Sequence, residues 1–333
     1  MARIFMTGFE AGSLDVLLPS TRAEISDGTV RTGTYSVYIG GYNKGIYHDI
    51  PGDPDEIFLR AGVYYAGGAD GGSRKMLLFK DSAGDSQLSL YIDSATHKLR
   101  LYRGDASTLL DTSSSPLPLD VWTCLEARIK IDNAAGVVTV KLDGVQVMDF
   151  AGDTQQTGNA DLGEARWGSD GSNEWVGYID DIAINDTTGS KNNSWIGRGG
   201  IYGLKPNGAG THTDFTPSAG ANYECVDEVP PNDDTDYVED DVVGQIDTYA
   251  LEDLEPATGA VDAVQWIARA KLAAAGSGNF KRVLRHSSTD YKGDNLAVDV
   301  SYKYFTEIFD QAPDSTDWTI AKVNALEAGM EVS

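Results

Sequence analysis

Retaining cleavage of a glycosidic bond needs two carboxyl groups about 5–5.5 Å apart, one as nucleophile and one as acid. Four acids lie close together in this sequence: Glu164, Glu174, Asp180 and Asp181. An E-x-D-x-x-E run occurs nowhere. Neighbours such as Asp180 and Asp181 point to opposite faces of a strand. The histidines, His48, His97, His212 and His286, are scattered without H-x-H or H-E-x-x-H spacing, so no zinc site is read. Neither a G-x-S-x-G nucleophile turn nor a phosphate loop is present. No catalytic residue is assigned, and the expectation is a protein that is not an enzyme.

Binding chemistry has more to draw on. Trp167, Trp175 and Tyr178 surround a polar loop, Gly168 to Asn173. Aromatic rings stack on the C–H faces of sugars, and an Asn or Asp side chain fixes hydroxyls. Trp167, Asn173 and Tyr178 are therefore the candidate glycan contacts. The competing reading places the tryptophans, Trp175 first, in the core, where a large ring in a sandwich is more often found.

The elements that would position these residues are short strands. Val121 to Ile131, Val137 to Leu142 and Val145 to Phe150 read as successive strands, and Asp143-Gly144 suits a type I′ hairpin turn. Val138, Val140 and Leu142 share one face by period-two alternation. Thr34 to Ile39, Ile57 to Tyr65, Lys75 to Lys80, Gln87 to Ile92, Lys98 to Tyr102 and Trp175 to Asn185 are strand-like too. The composition changes across Asn185 to Gly200, which divides the chain into domains 1–192 and 193–333. Strands are expected in the second at Gly200 to Pro206, Gln245 to Leu251, Ala263 to Ala274, Phe280 to His286, Leu296 to Phe309 and Val323 to Val332. The fold class that follows is all-β: two antiparallel β-sandwich, jelly-roll-like domains. Their core should include Trp122, Val140, Leu142, Val147 and Ile182.

Charge narrows the partners. Of 333 residues, 51 are Asp or Glu and 26 are Lys or Arg, a net charge of −25. The excess is shared, −12 over residues 1–190 and −13 over 191–333, and Glu224 to Asp241 holds nine acids without a base. Such a surface repels phosphate backbones and anionic lipids, which argues against nucleic acid and membranes as partners. No apolar run approaches ~18 residues, so no spanning segment is read. The N-terminus, Met1 to Glu10, lacks a signal-peptide pattern, so the chain is expected to be made in the cytoplasm and to leave it by lysis or within a particle. Cys124 and Cys225 fall in different domains and are expected to be buried free thiols.

The runs TYSVYIGG (34–41), WTCLEARIKID (122–132), VTVKLDGVQV (138–147) and WVGYIDDIAI (175–184) resemble strands of the laminin-G and concanavalin-like jelly roll of lectins and glucanases. The resemblance covers about residues 3–190. It implies a two-sheet sandwich whose curved sheet and rim loops contact glycans, with calcium as a rim cofactor in some relatives. Asp170 and Asn173 are the candidate calcium ligands, with Asp53/Asp55 and Asp233/Asp234/Asp236 as further acidic loops; none matches the EF-hand pattern. The stretches 203–238 and 315–332, with the opening FMTGFEAG (5–12), resemble virion proteins of tailed bacteriophages. That implies a structural virion component, on head or tail, present in multiple copies among other virion proteins and contacting host glycans. The alternative is a polysaccharide-processing enzyme on the same fold.

Overall fold

The structure, a computed structural model, describes residues 2–16, 20–21, 23–41, 44–67, 72–168, 175–255, 257–274 and 276–333. Two compact units divide the chain, Met1–Ile201 and Tyr202–Ser333. The division lies at 201 rather than 192, because the residues after the composition break return to the first unit. Trp195 packs edge-on against Phe58, the Lys141 ammonium sits 3.5 Å from its ring centroid, and Ile196 is buried. A polar loop with a tryptophan at its end looks like a linker by composition and is anchored by that ring.

Unit 1 is built from β1 (Arg3–Thr7), β2 (Ser20–Thr21), β3 (Glu24–Ser26), β4 (Ser36–Ile39), β5 (Gly45–Asp49), β6 (Glu56–Gly67), β7 (Ser73–Lys80), β8 (Ser86–Asp93), β9 (Lys98–Arg103), β10 (Thr108–Pro116), β11 (Trp122–Lys130), β12 (Gly136–Leu142), β13 (Val145–Gly152), β14 (Glu164–Gly168) and β15 (Val176–Asp186). One antiparallel sheet has the order β13-β12-β11-β6-β15-β4-β3, with β1 also paired to β15. The other has the order β10-β9-β8-β7-β14-β5-β2. Strands far apart in sequence lie side by side, as in a jelly roll. Asp143 and Gly144 adopt φ of 49° and 82°, the positive pair that a type I′ turn demands.

Alternation fills the space between the sheets. Ile57, Leu59, Ala61, Val63 and Tyr65 of β6 meet Leu77, Phe79, Leu88, Leu90 and Ile92 of the opposing sheet in one buried cluster. Val140, Leu142, Val147 and Ile182 join it. Trp122 does not: it is only half-buried, because its parity on β11 is that of Cys124 and Glu126, opposite the core residues Leu125 and Ala127.

Unit 2 contains β16 (Pro206–Thr213), β17 (Thr216–Pro217), β18 (Val238–Glu239), β19 (Ile246–Leu251), β20 (Val264–Ala270), β21 (Gly278–His286), β22 (Thr289–Val298), β23 (Lys303–Phe309), α1 (Ile320–Asn324) and β24 (Glu327–Val332). A five-stranded sheet, β16-β19-β24-β21-β22, is faced by the ribbon β20-β23. Trp266 and Phe305 of the ribbon meet Phe280 of the sheet at ring distances of 6.2 and 4.9 Å, and Trp318, Val323 and Leu326 complete the core. His212 on one edge strand reaches Asp290 on the other at 2.9 Å, so side chains bridge the two edges of a curled sheet. Three expected strands change. Residues 200–205 precede β16 instead of forming a strand. Leu296 to Phe309 is broken by a turn in which Asp299 accepts the Ser301 amide. Val323 to Val332 begins as helix α1, capped by the Thr319 hydroxyl.

Candidate functional site

Sheet parity decides which aromatic rings face outward. On β6, Tyr64 alternates with the core residues Val63 and Tyr65. It lies in register with Trp122 of β11 on one side and Tyr178 of β15 on the other. Tyr178 is in register with Tyr38 of β4, and Tyr38 with Glu24 of β3. Four rings from four neighbouring strands thus form one row across the face that points away from the core. Their centroids are 5.2 Å (Tyr38–Tyr178), 5.8 Å (Tyr178–Tyr64) and 5.6 Å (Tyr64–Trp122) apart, tilted or edge-to-face. All four are half-buried. At the Tyr38 end the Lys44 ammonium stands 5.1 Å from the ring and 2.6 Å from the Glu24 carboxylate. At the other end Val121, beside Trp122 in the chain, is 49% exposed.

The expected glycan contacts separate. Tyr178 stands in this row. Trp167 is 3% exposed and packs in the core with Ile46 and Leu77, its register partners, so its ring is withdrawn from any surface site. The physical reason is a strand that the sequence reading missed: Glu164 and Arg166 of β14 face outward while Ala165 and Trp167 face inward. Trp175 is also core. Asp170, Asn173 and Glu174 lie outside the described residues. Tyr38, Tyr64 and Trp122 were overlooked because their kinship exists only in strand register, and their positions spread over residues 38 to 178.

Along the same face, away from the row, lies a buried polar cluster. Asp181 takes φ 53° at a bulge in the β15–β6 pairing, and this turns its carboxylate toward the segment that Asp180 also serves. Asp180 accepts the amides of Arg31 (3.0 Å), Thr32 (3.3 Å) and Asp181 (2.7 Å). Asp181 accepts the Thr32 hydroxyl (2.7 Å) and the Ile201 amide (2.6 Å), and pairs with the Arg31 guanidinium. The expectation that these neighbours diverge is therefore corrected; the bulge breaks the two-residue period. Glu10 accepts the amides of Thr34 (3.0 Å to Oε1) and Tyr35 (3.2 Å). Gly62 makes room for this segment, since a Cβ there would lie 2.4 Å from the Arg31 Cδ.

Burial, reinforced by the charge of Asp181, pushes Asp180 up to about 8. Burial lifts Glu10 to about 7 against the pull of the Thr34 and Tyr35 amides. Both aspartates are fully buried, and every oxygen named already holds a donor. The cluster ties a loop to a sheet, and neither aspartate has an oxygen left open to a substrate. Among the described residues no group of three or more His, Cys, Asp or Glu side chains is arranged to hold a metal ion. The acidic loop of unit 2 has partners in the chain: Asp233 with Arg269, Asp234 with Lys271 and Asp236 with Ser218. Cys124 and Cys225 are free and buried, one in each unit.

No family model matches this sequence, and no curated protein matches it. Solved structures with a similar arrangement do. A cellulose-induced protein matches at 18% identity and TM-score 0.45, over 59% of this chain and 100% of its own. A domain of an extracellular arabinanase from Geobacillus stearothermophilus, solved with arabinotriose, matches at 16% and 0.42, over 56% and 92%. A carbohydrate-binding module from Bacillus subtilis matches at 9% and 0.34, over 51% and 95%.

Proposed function

We propose that this protein is a non-catalytic structural component of a tailed-phage virion that contacts glycans through the outward face of its eight-stranded sheet. The observation that carries the glycan part is the in-register row Tyr38, Tyr178, Tyr64 and Trp122. Solvent-facing positions on a sheet ordinarily carry polar side chains; four adjacent rings there, each tilted against the next, supply apolar surface with hydroxyl edges. A shallow face gives weak contacts singly, and many copies on one particle make them effective through avidity. The virion part is supported by the sequence resemblance of 203–238 and 315–332. Its test is a reconstruction of purified particles, in which the chain occupies density in many copies; its absence from them overturns the virion reading.

A polysaccharide-processing enzyme is favoured by one observation, the adjacent carboxyls of Asp180 and Asp181 with one of them held protonated. Their complete burial and occupied oxygens count against it. Assay against a panel of polysaccharides should yield no new chain ends, and product formation abolished by Asp180→Asn would establish the enzyme instead.

A further inference from the structure

Resting on the glycan-contacting reading, we infer that the aromatic row selects a neutral, unbranched glycan chain, laid across the strands with about three sugar rings in contact.

The direction follows from the register. The rings come from β4, β15, β6 and β11, one each, at equivalent positions. The row therefore runs perpendicular to the strands, and neighbouring strands lie about 4.8 Å apart. Four strands span about 15 Å, and a linear sugar chain repeats at a spacing close to that of the strands. A ligand lying along the row meets a ring at each step.

The neutral class follows from charge. An acidic glycan needs a cation to pair with its carboxylate or sulfate. The Lys44 ammonium beside Tyr38 is already 2.6 Å from Glu24, so that end is neutralised from within. Arg31, further along the face, is bound to Asp181. Residues 1–190 carry a net charge of −12, which repels a polyanion before contact. The rings themselves, three phenols and an indole, are uncharged. Aromatic faces with hydroxyl edges match a sugar that alternates C–H patches and hydroxyls, and they offer nothing to a carboxylate.

The test is calorimetric titration of the full chain with oligosaccharides of one to six units. Neutral series (glucan, mannan and N-acetylglucosamine oligomers) are compared with acidic ones (oligoalginate and oligogalacturonate). One neutral series should bind, its affinity rising with length to about three or four units and then levelling, while the acidic series do not. Tyr64→Ala and Tyr178→Ala should each weaken that binding about tenfold, with circular dichroism unchanged; two positions on different strands guard against a variant that fails to fold. Binding of an acidic series that Tyr64→Ala and Tyr178→Ala abolish keeps the row as a glycan site and overturns the neutral class. Neutral binding that neither variant alters overturns the row. Binding to no glycan overturns this inference together with the glycan reading beneath it.

Discussion

A backbone twist at one residue sets the chemistry of the polar cluster. With Asp181 at positive φ, its carboxylate joins that of Asp180 on the Arg31–Thr32 segment. Asp181→Ala removes the acceptor of the Thr32 hydroxyl and the Ile201 amide and leaves the Arg31 guanidinium only backbone carbonyls, and should cost unit 1 about 3–5 kcal/mol in denaturant unfolding. The pH dependence has a definite sign. Glu10 and Asp180 hold protons more tightly folded than unfolded, rising from 4.5 to about 7 and from 3.8 to about 8. Their contribution is complete at acid pH and is lost as the pH climbs through those folded values. The melting temperature of unit 1 should therefore fall between about pH 5 and pH 8, and a midpoint that rises across that window would contradict the buried, protonated state. Trp167 and Tyr178 make a further contrast. Trp167→Ala empties a core site and should cost about 3–5 kcal/mol; half-buried Tyr178→Ala should cost less and act on binding. The alternation Glu164-Ala165-Arg166-Trp167 carries this difference in the sequence, but over four residues it is too short to be read as a strand without β5 and β7 beside it. The bulge at Asp181 was not legible, since nothing in Asp180-Asp181 signals a broken period before β6 is beside it.

Strand existence was easier to read than strand partnership. β11, β12 and β13 follow from alternation and one Asp-Gly turn, whereas β1, β2, β3, β5 and β14 are short and gain their structure from neighbours. At the C-terminus, Val323 and Leu326 are both core at helical spacing, and only afterwards do Ala328, Met330 and Val332 alternate; reading the whole stretch with one period merged helix and strand. The pairing of β19 with β24 has a demanding contact. A Cβ on Gly329 would lie 1.8 Å from the Asp247 carbonyl oxygen, a backbone clash with no flexible side chain to yield. Gly329→Ala should prevent that pairing, and the proton spectrum of the variant should lose the dispersed signals of unit 2.

Each unit has its own hydrophobic cluster, so the whole chain is expected to melt in two transitions by calorimetry. The pH shift and Asp181→Ala should move one, and Gly329→Ala the other; a single transition displaced equally by all three would refute independent cores. The charge of −25 adds a general term. Self-repulsion weakens a compact acidic chain, and moderate salt should raise both midpoints.

The position of β6 bears on how the chain is made. Its two neighbours are β11, which starts at Trp122, and β15, which starts at Val176. A ribosome adding residues from the N-terminus delivers β6 long before either partner, at about 5–20 residues per second. For several seconds its apolar run, Ile57 to Tyr65, has a bare edge on both sides, the condition in which strands join the wrong chain. Only when β15 emerges can β1, β4 and β6 be drawn together at one stroke, since all three pair with it. Chaperone demand should accordingly peak midway through synthesis of unit 1, and nascent chains arrested before residue 176 should aggregate on release while those carrying β15 remain dispersed.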